Sequence, residues 1–552
     1  MKNYLNNILR SLLILFVLFV SPVRGDDAGS DRPVVMTGQG KVAGYKEDGL
    51  DIFKGIPYAL PPVGERRWKA PEAPVAWKGL REATEFGAPC VQPPLPPTSL
   101  YYDPFEKESE DCLTLNIWAP EGIKDAPVMV WIHGGSLRIG GSSQPLYKGA
   151  ALARQGVVLV SINYRLGALG WLAHPDLSAE SPNGASGNYG LLDQIQALRW
   201  VKDNIAAFGG DPENVTIMGE SAGALSVTYL LASPPARGLF HKAIIQSTNT
   251  RATPELKREV YGMQSAEQTG EAIASALKAE SLEALRALDA RDVTIRAMYA
   301  GYRPEGTIDG WSLTEQLVET FDAGRQARVP LLTGFTGGEM RAGLVRTPRA
   351  PMDAATYEAE ITKRYGDLAA EFLRLYPASD IDESMKATLR DAVFGWASEY
   401  LVDRYSKAGL PAYLYYFDHC YPSARARGIC AFHAGELPYV FGLAGPDATI
   451  PVNWPRPDGG NDVALSEAMM GYWASFARTG IPVASGHPDW KAYDPDGQAY
   501  MLFSDKPRLQ SDLLSGMFEL HVESFLRRKL SNQQWFLNVG LKSPVLTPPA
   551  GQ

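Results

Sequence analysis

Short, unbroken apolar runs alternate with longer stripes of helical period along most of this chain, and that alternation limits its fold more than any other feature. The runs lie at 128–132, 157–162, 215–218, 243–246, 329–335 and 413–417. They are continuous rather than apolar at every second position, the pattern of parallel strands covered on both faces. Between them Leu191, Ile195, Leu198, Ile205 and Phe208 share one helical stripe, and Gly209-Gly210 supplies the stop. Strand–helix alternation of this kind predicts an α/β layer fold. The Ala- and charge-rich segments 251–300 and 340–400 read as helical, forming a cap over the sheet. No internal repeat or low-complexity linker marks a boundary, so residues 26–552 read as a single domain.

The first 25 residues read as separate material. Lys2 and Arg10 precede the apolar run 12–20, and Val23-Arg24-Gly25 offers small residues where a signal peptidase cuts. A run of about ten residues is too short for a bilayer core that needs roughly 20. A cleaved export signal fits, which implies a secreted or periplasmic protein with no membrane anchor after cleavage. The four cysteines agree with that address. Cys90 and Cys112 bracket a loop rich in proline and aromatics, and Cys420 and Cys430 bracket a shorter one. Three pairings are possible, of which local closure is the simplest. The formal net charge of −9 argues against nucleic acid as a partner. Neither C-x-x-C nor H-E-x-x-H occurs, so no metal site is expected.

The chemistry points to residues 219–223, which read G-x-S-x-G. The pattern is short and weak alone, but the apolar run 215–218 leads straight into it and a helical pattern follows at once. That strand–bend–helix layout holds a serine hydroxyl exposed on a sharp turn, which makes Ser221 the candidate nucleophile. A serine needs a base to take its proton, and in this layout an acid and then a histidine follow along the chain. Four histidines qualify by position. His487 sits in a turn, His521 in a helical segment with a solvated side chain, and His419 at the end of the run 413–417. His433 follows the apolar residues 429–432, and spacing prefers it only slightly to His419. For the acid, Glu339 stands just past the run 329–335, where the functional groups of open parallel sheets gather. Asp309 competes but resembles a turn residue. His133-Gly134-Gly135-Ser136 follows the run 128–132, and such a turn can aim amide N–H groups at an oxyanion, with the Ala222 amide as another donor. No cofactor is needed for this chemistry.

At this point the chain resembles the type-B carboxylesterase and cholinesterase family of α/β-hydrolases, over residues 33–540. The matching stretches are FKGIPYALPPVG from Phe53, SEDCLTLNIW from Ser109, NYRLG from Asn163, GNYGLLDQ from Gly187, FGGDP from Phe208 and GESAG from Gly219. The resemblance implies an α/β-hydrolase fold: a large, mostly parallel sheet with helices on both faces and helical cap insertions. It implies a secreted or periplasmic hydrolase of small-molecule carboxylic esters working through Ser221, Glu339 and His433 and an acyl-enzyme. Gly135, Ser136 and Ala222 match the oxyanion positions, and Glu220 and Ser247 match residues that hydrogen-bond around the triad. A Cys90–Cys112 disulfide is implied as well. Two departures stand out. The usual third glycine of the H-G-G-G turn is Ser136, whose Cβ disfavours positive φ. Cys420 and Cys430 form a pair the family does not lead one to expect, and a bridge there would rigidify the approach to His433. Alternatives within the same resemblance are a non-catalytic adhesion protein and a hydrolase of amides, carbamates or thioesters.

Overall fold

Each apolar run becomes a strand of one eleven-stranded sheet in the computed structural model, which describes residues 32–343 and 353–548. In chain order the strands are β1 (Tyr45–Glu47), β2 (Leu50–Pro57), β3 (Thr114–Pro120), β4 (Ala126–Ile132), β5 (Val158–Ile162) and β6 (Gly210–Glu220). They continue with β7 (Lys242–Gln246), β8 (Leu331–Thr336), β9 (Ala412–Phe417), β10 (Ala499–Phe503) and β11 (Pro507–Ser511). Their spatial order is β11-β10-β9-β8-β7-β6-β4-β5-β3-β2-β1. From β5 across to β10 every neighbouring pair is parallel, and the strands outside that block pair antiparallel. A separate three-stranded sheet joins Val34–Thr37, Gly40–Ala43 and Leu80–Glu82.

The continuous apolar runs have the cause inferred for them. Side chains along a strand point alternately to opposite faces, and here both faces are covered. Val128, Val130 and Ile132 of β4 pack into the core shared with helices α1 (Tyr189–Asn204), α2 (Ala222–Ala232) and α3 (Trp396–Lys407). Met129 and Trp131, between them, join the opposite core with helix α4 (Asn461–Thr479). A polar residue at any of these positions would face apolar side chains on either side of the sheet. The stop at Gly209 is also real: it takes φ 83°, ending the helical stretch just before β6 begins.

The two helical segments need correction. Residues 251–265 contain no helix; Pro254 interrupts the pattern, as does the turn at Tyr261-Gly262, where these two residues take positive φ, and the first helix there is Ala266–Leu277. That helix packs with Leu282–Ala287 and Ala290–Tyr299 around a small core of its own containing Trp68 and Leu169. In the second segment α3 lies on the sheet itself and is no part of a cap, because Trp396, Tyr400 and Leu401 are the apolar face that covers β8 and β9. The described residues from Pro33 onward form one compact unit. Both cysteine pairs are bridged, Cys90 to Cys112 and Cys420 to Cys430. The export signal proposed for residues 1–25 lies outside the described residues.

Candidate active site

Five adjacent parallel strands end on the same edge, and the segments leaving them carry the nominated residues. β6 runs through Glu220 into Ser221, and α2 starts at the next residue. Ser221 takes φ 57° and ψ −119°, a backbone conformation that costs a residue with a Cβ about 1–3 kcal/mol and so persists only under constraint. The constraint is close packing: a Cβ on Gly223 would lie 2.0 Å from the Ile132 carbonyl oxygen. The bend is pinned further by the Ser221 N–H, which donates to the Gln246 carbonyl of β7 at 2.9 Å.

Glu339 follows β8 and is fully buried. Its Oε1 accepts from the Ser247 hydroxyl at 2.7 Å and from the Thr336 N–H at 2.9 Å, while Oε2 is hydrogen-bonded to Nδ1 of His433. The loops carrying these two residues run side by side, with the Gly338 N–H donating to the Ala431 carbonyl at 2.8 Å. The Cys420–Cys430 bridge ties the exit of β9 to the same loop. The Tyr101 hydroxyl, from the Cys90–Cys112 loop, donates to the His433 carbonyl at 3.1 Å. His433 is thus held by three segments that are far apart in sequence. Its Nε2 is buried, makes no hydrogen bond among the described residues and lies 3.0 Å from Glu220 Oε1. No hydrogen bond joins it to Ser221 in this structure, although both residues line one cavity of about 1130 Å³.

The turn after β4 completes the edge. The amides of Gly135, Ser136 and Ala222 donate to no acceptor among the described residues. Ser136 takes φ 59° and Leu137 φ 56°, so the Cβ at 136 does not keep the turn out of the left-handed region. The His133 ring braces it: Nδ1 donates to the Gly134 carbonyl at 2.8 Å, and the ring stacks on Tyr164 at 4.5 Å. Burial drops the His133 pKa to about 4, which keeps that ring neutral.

The electrostatics are those of crowded acids around one imidazole. Glu436 is fully buried, accepts from the Gln246 side chain at 3.0 Å, and is pushed up to about 7, first by burial and then by Glu339. Burial raises Glu220 to about 8 against the opposing pull of His433. Burial alone would lower His433, but the carboxylates of Glu220 and Glu339 outweigh it and hold its proton to about 9. Glu220 and His433 shift in the same direction, each retaining its proton above neutral pH.

The other candidates fall elsewhere. His419 pairs through Nε2 with Asp462 at 2.6 Å. His521 is buried rather than solvated, with Nε2 against the Tyr376 hydroxyl at 2.8 Å, because its helix turns that face inward. Asp309 accepts the amides of Trp311, Ser312 and Leu313, which makes it the turn residue it resembled. Sequence reasoning assigned no role to Glu436, Gln246 or Tyr101. The one available signal was Glu436, the lone carboxylate in a stretch, 431–441, that carries no other titratable side chain but His433 and Tyr439.

A parallel sheet wound on both faces, with a serine on a strained bend between strand and helix, defines an α/β-hydrolase. Residues 31–520 match the carboxylesterase family. The chain is 37% identical over 490 residues to fumonisin B1 esterase of Sphingopyxis macrogoltabida, covering 85% of this chain and 87% of that protein. It is 36% identical to para-nitrobenzyl esterase of Bacillus subtilis (strain 168), covering 87% and 96% respectively. Among solved structures, a PNB esterase superposes with a TM-score of 0.76 at 34% identity, over 88% of this chain and 99% of that one. A Geobacillus stearothermophilus carboxylesterase gives 0.72 at 34% identity, with the same coverage. This chain belongs to the carboxylesterase family, and it is a carboxylic-ester hydrolase.

Proposed function

We propose that Ser221 is the nucleophile, His433 its base and Glu339 the acid that orients the base, in hydrolysis of small-molecule carboxylic esters. Ser221 Oγ adds to the ester carbonyl carbon while Nε2 of His433 takes the hydroxyl proton. The amides of Gly135, Ser136 and Ala222 receive the negative oxygen of the tetrahedral species, each such donor contributing about 3–4 kcal/mol to the transition state. Nε2 then returns the proton to the departing alkoxide, leaving an acyl-serine and the free alcohol. Water repeats the sequence on the acyl-serine, releasing the acid and restoring Ser221. What carries this reading is the buried Glu339–His433 hydrogen bond opening into the cavity that Ser221 also lines. The Cys90–Cys112 and Cys420–Cys430 bridges support an oxidising address, consistent with removal of residues 1–25 on export and a working domain of 26–552. No described helix is long and apolar enough to cross a membrane.

The test is covalent labelling. A serine-directed organophosphonate should add once per chain, and the peptide containing Ser221 should carry the added mass. Absence of label, or label on another serine, refutes the assignment and reopens the adhesion reading.

A pH profile follows from the electrostatics. The base must be unprotonated to accept the Ser221 proton, and its neighbours hold its own proton above neutral pH. kcat/KM should therefore rise with pH along a limb displaced to the alkaline side of ordinary imidazole. Glu220→Gln removes a negative charge that helps hold that proton, so the limb should move to lower pH by about one pH unit. A limb that stays in place, or moves up, would contradict the role given to Glu220.

A further inference from the structure

The wall of the cavity carries a cation that no acid among the described residues neutralises. Arg138 belongs to the turn that presents Gly135 and Ser136; its N–H donates to the Gly135 carbonyl at 3.0 Å, and its side chain lines the cavity. Among the described residues its guanidinium has no hydrogen bond and no ion pair, and its Nε is closed off from solvent without an acceptor. Other arginines near the same wall are matched: Arg67 reaches Glu110 at 2.6 Å and Arg291 reaches Glu108 at 3.1 Å. Those pairs occupy Glu108 and Glu110, two of the six acids that face the cavity; Asp103, Glu106, Glu220 and Asp289 are the others, and none of them is paired with Arg138. The charge that acts on Arg138 is a like one, from Arg303 in the loop after the helix Ala290–Tyr299, and it adds to burial in weakening the hold of Arg138 on its proton. A guanidinium donor withdrawn from water without an acceptor is destabilising, and an incoming anion relieves both the missing hydrogen bond and the repulsion. The fork of an arginine fits a carboxylate in two-point contact.

We propose that Arg138 is an anion subsite that binds a carboxylate carried by the ester substrate, so that the enzyme prefers negatively charged esters to neutral ones of the same size. The inference rests on the ester-hydrolase reading above and adds the substrate class. The carboxylate can belong to the acyl half, as in a half-ester of a dicarboxylic acid, or to the alcohol half, as in an acylated hydroxy acid. Both present the same group to Arg138.

Three esters separate these cases in the full-length enzyme: 4-nitrobenzyl pentanoate as the neutral reference, 4-nitrobenzyl hydrogen glutarate with its charge on the acyl half, and 4-(butyryloxymethyl)benzoate with its charge on the alcohol half. The wild type should show a higher kcat/KM for one charged ester than for the reference, and which one it is locates the subsite relative to Ser221. In Arg138→Leu the charged-to-neutral ratio should fall by about 10- to 100-fold, and Arg138→Lys should recover part of it. Added salt should lower the wild-type ratio and leave that of Arg138→Leu flat. A wild type that favours the neutral ester over both charged ones, or an Arg138→Leu that changes all three alike, overturns the subsite. If the wild type hydrolyses none of the three, the hydrolase reading fails on its own. Calorimetric binding of glutarate to the wild type and to Arg138→Leu then still decides the subsite, with equal affinities refuting it.

Discussion

Ser221→Ala is expected to lower kcat for a short p-nitrophenyl ester by about 10⁴- to 10⁶-fold while the protein stays folded. The size of the loss follows from the chemistry: without the hydroxyl there is no acyl-enzyme, and only the amides and the cavity remain to stabilise attack by water. Those leave a residual rate about 10³- to 10⁴-fold above the uncatalysed reaction. Folding should survive because alanine pays the same backbone cost at φ 57° as serine does, and no hydrogen bond of the Ser221 side chain holds the bend. The measurement is single-turnover and steady-state hydrolysis beside a thermal melt. Wild-type turnover by a folded Ser221→Ala protein would remove the nucleophile assignment and with it the mechanism.

Glu339→Gln should cost about 10³- to 10⁴-fold in kcat, with little change in KM. The reason is geometric. Oε1 accepts from the Ser247 hydroxyl and the Thr336 N–H, two donors that would hold the carbonyl of a glutamine in the same place. The amide NH₂ would then face Nδ1 of His433, which would have to accept rather than donate. The ring proton would be forced to Nε2, the atom that must be free to take the Ser221 proton. Glu339→Asp, which keeps the charge and shortens the reach, should lose less. If Glu339→Gln retained more than a tenth of wild-type kcat, Glu339 would be a structural residue only.

Much of this was legible in one dimension because the relevant physics is local. A strand buried on both faces has to be apolar at every position, so β4, β5, β6, β7, β8 and β9 announced themselves as unbroken runs, with ends displaced by a residue or two or, for β6, by five at its start. The bend at Ser221 was legible because Gly219 and Gly223 flank it within five residues, and a Cβ on either would strike backbone. The segments 251–300 and 340–400 were less legible: composition says that a stretch is helical and amphipathic without saying which neighbour its apolar face meets. α3 looked like cap material and is core. His521 looked solvated and is buried, for the same reason.

The chain by itself determined the layer fold, the serine on its bend, the short list of acids and histidines, and the glycine-rich turn that follows β4. The folded structure alone decided that Glu339 meets His433 across 94 residues, that His419 turns instead to Asp462, that Glu436 joins the same buried acid cluster, and that Arg138 faces the cavity without a counter-ion among the described residues. The division has one physical cause. Propensity and periodicity act between residues a few positions apart, whereas these pairings depend on strand order, which sets β4 between β5 and β6 and β8 between β7 and β9, and so on which loops are brought to one edge.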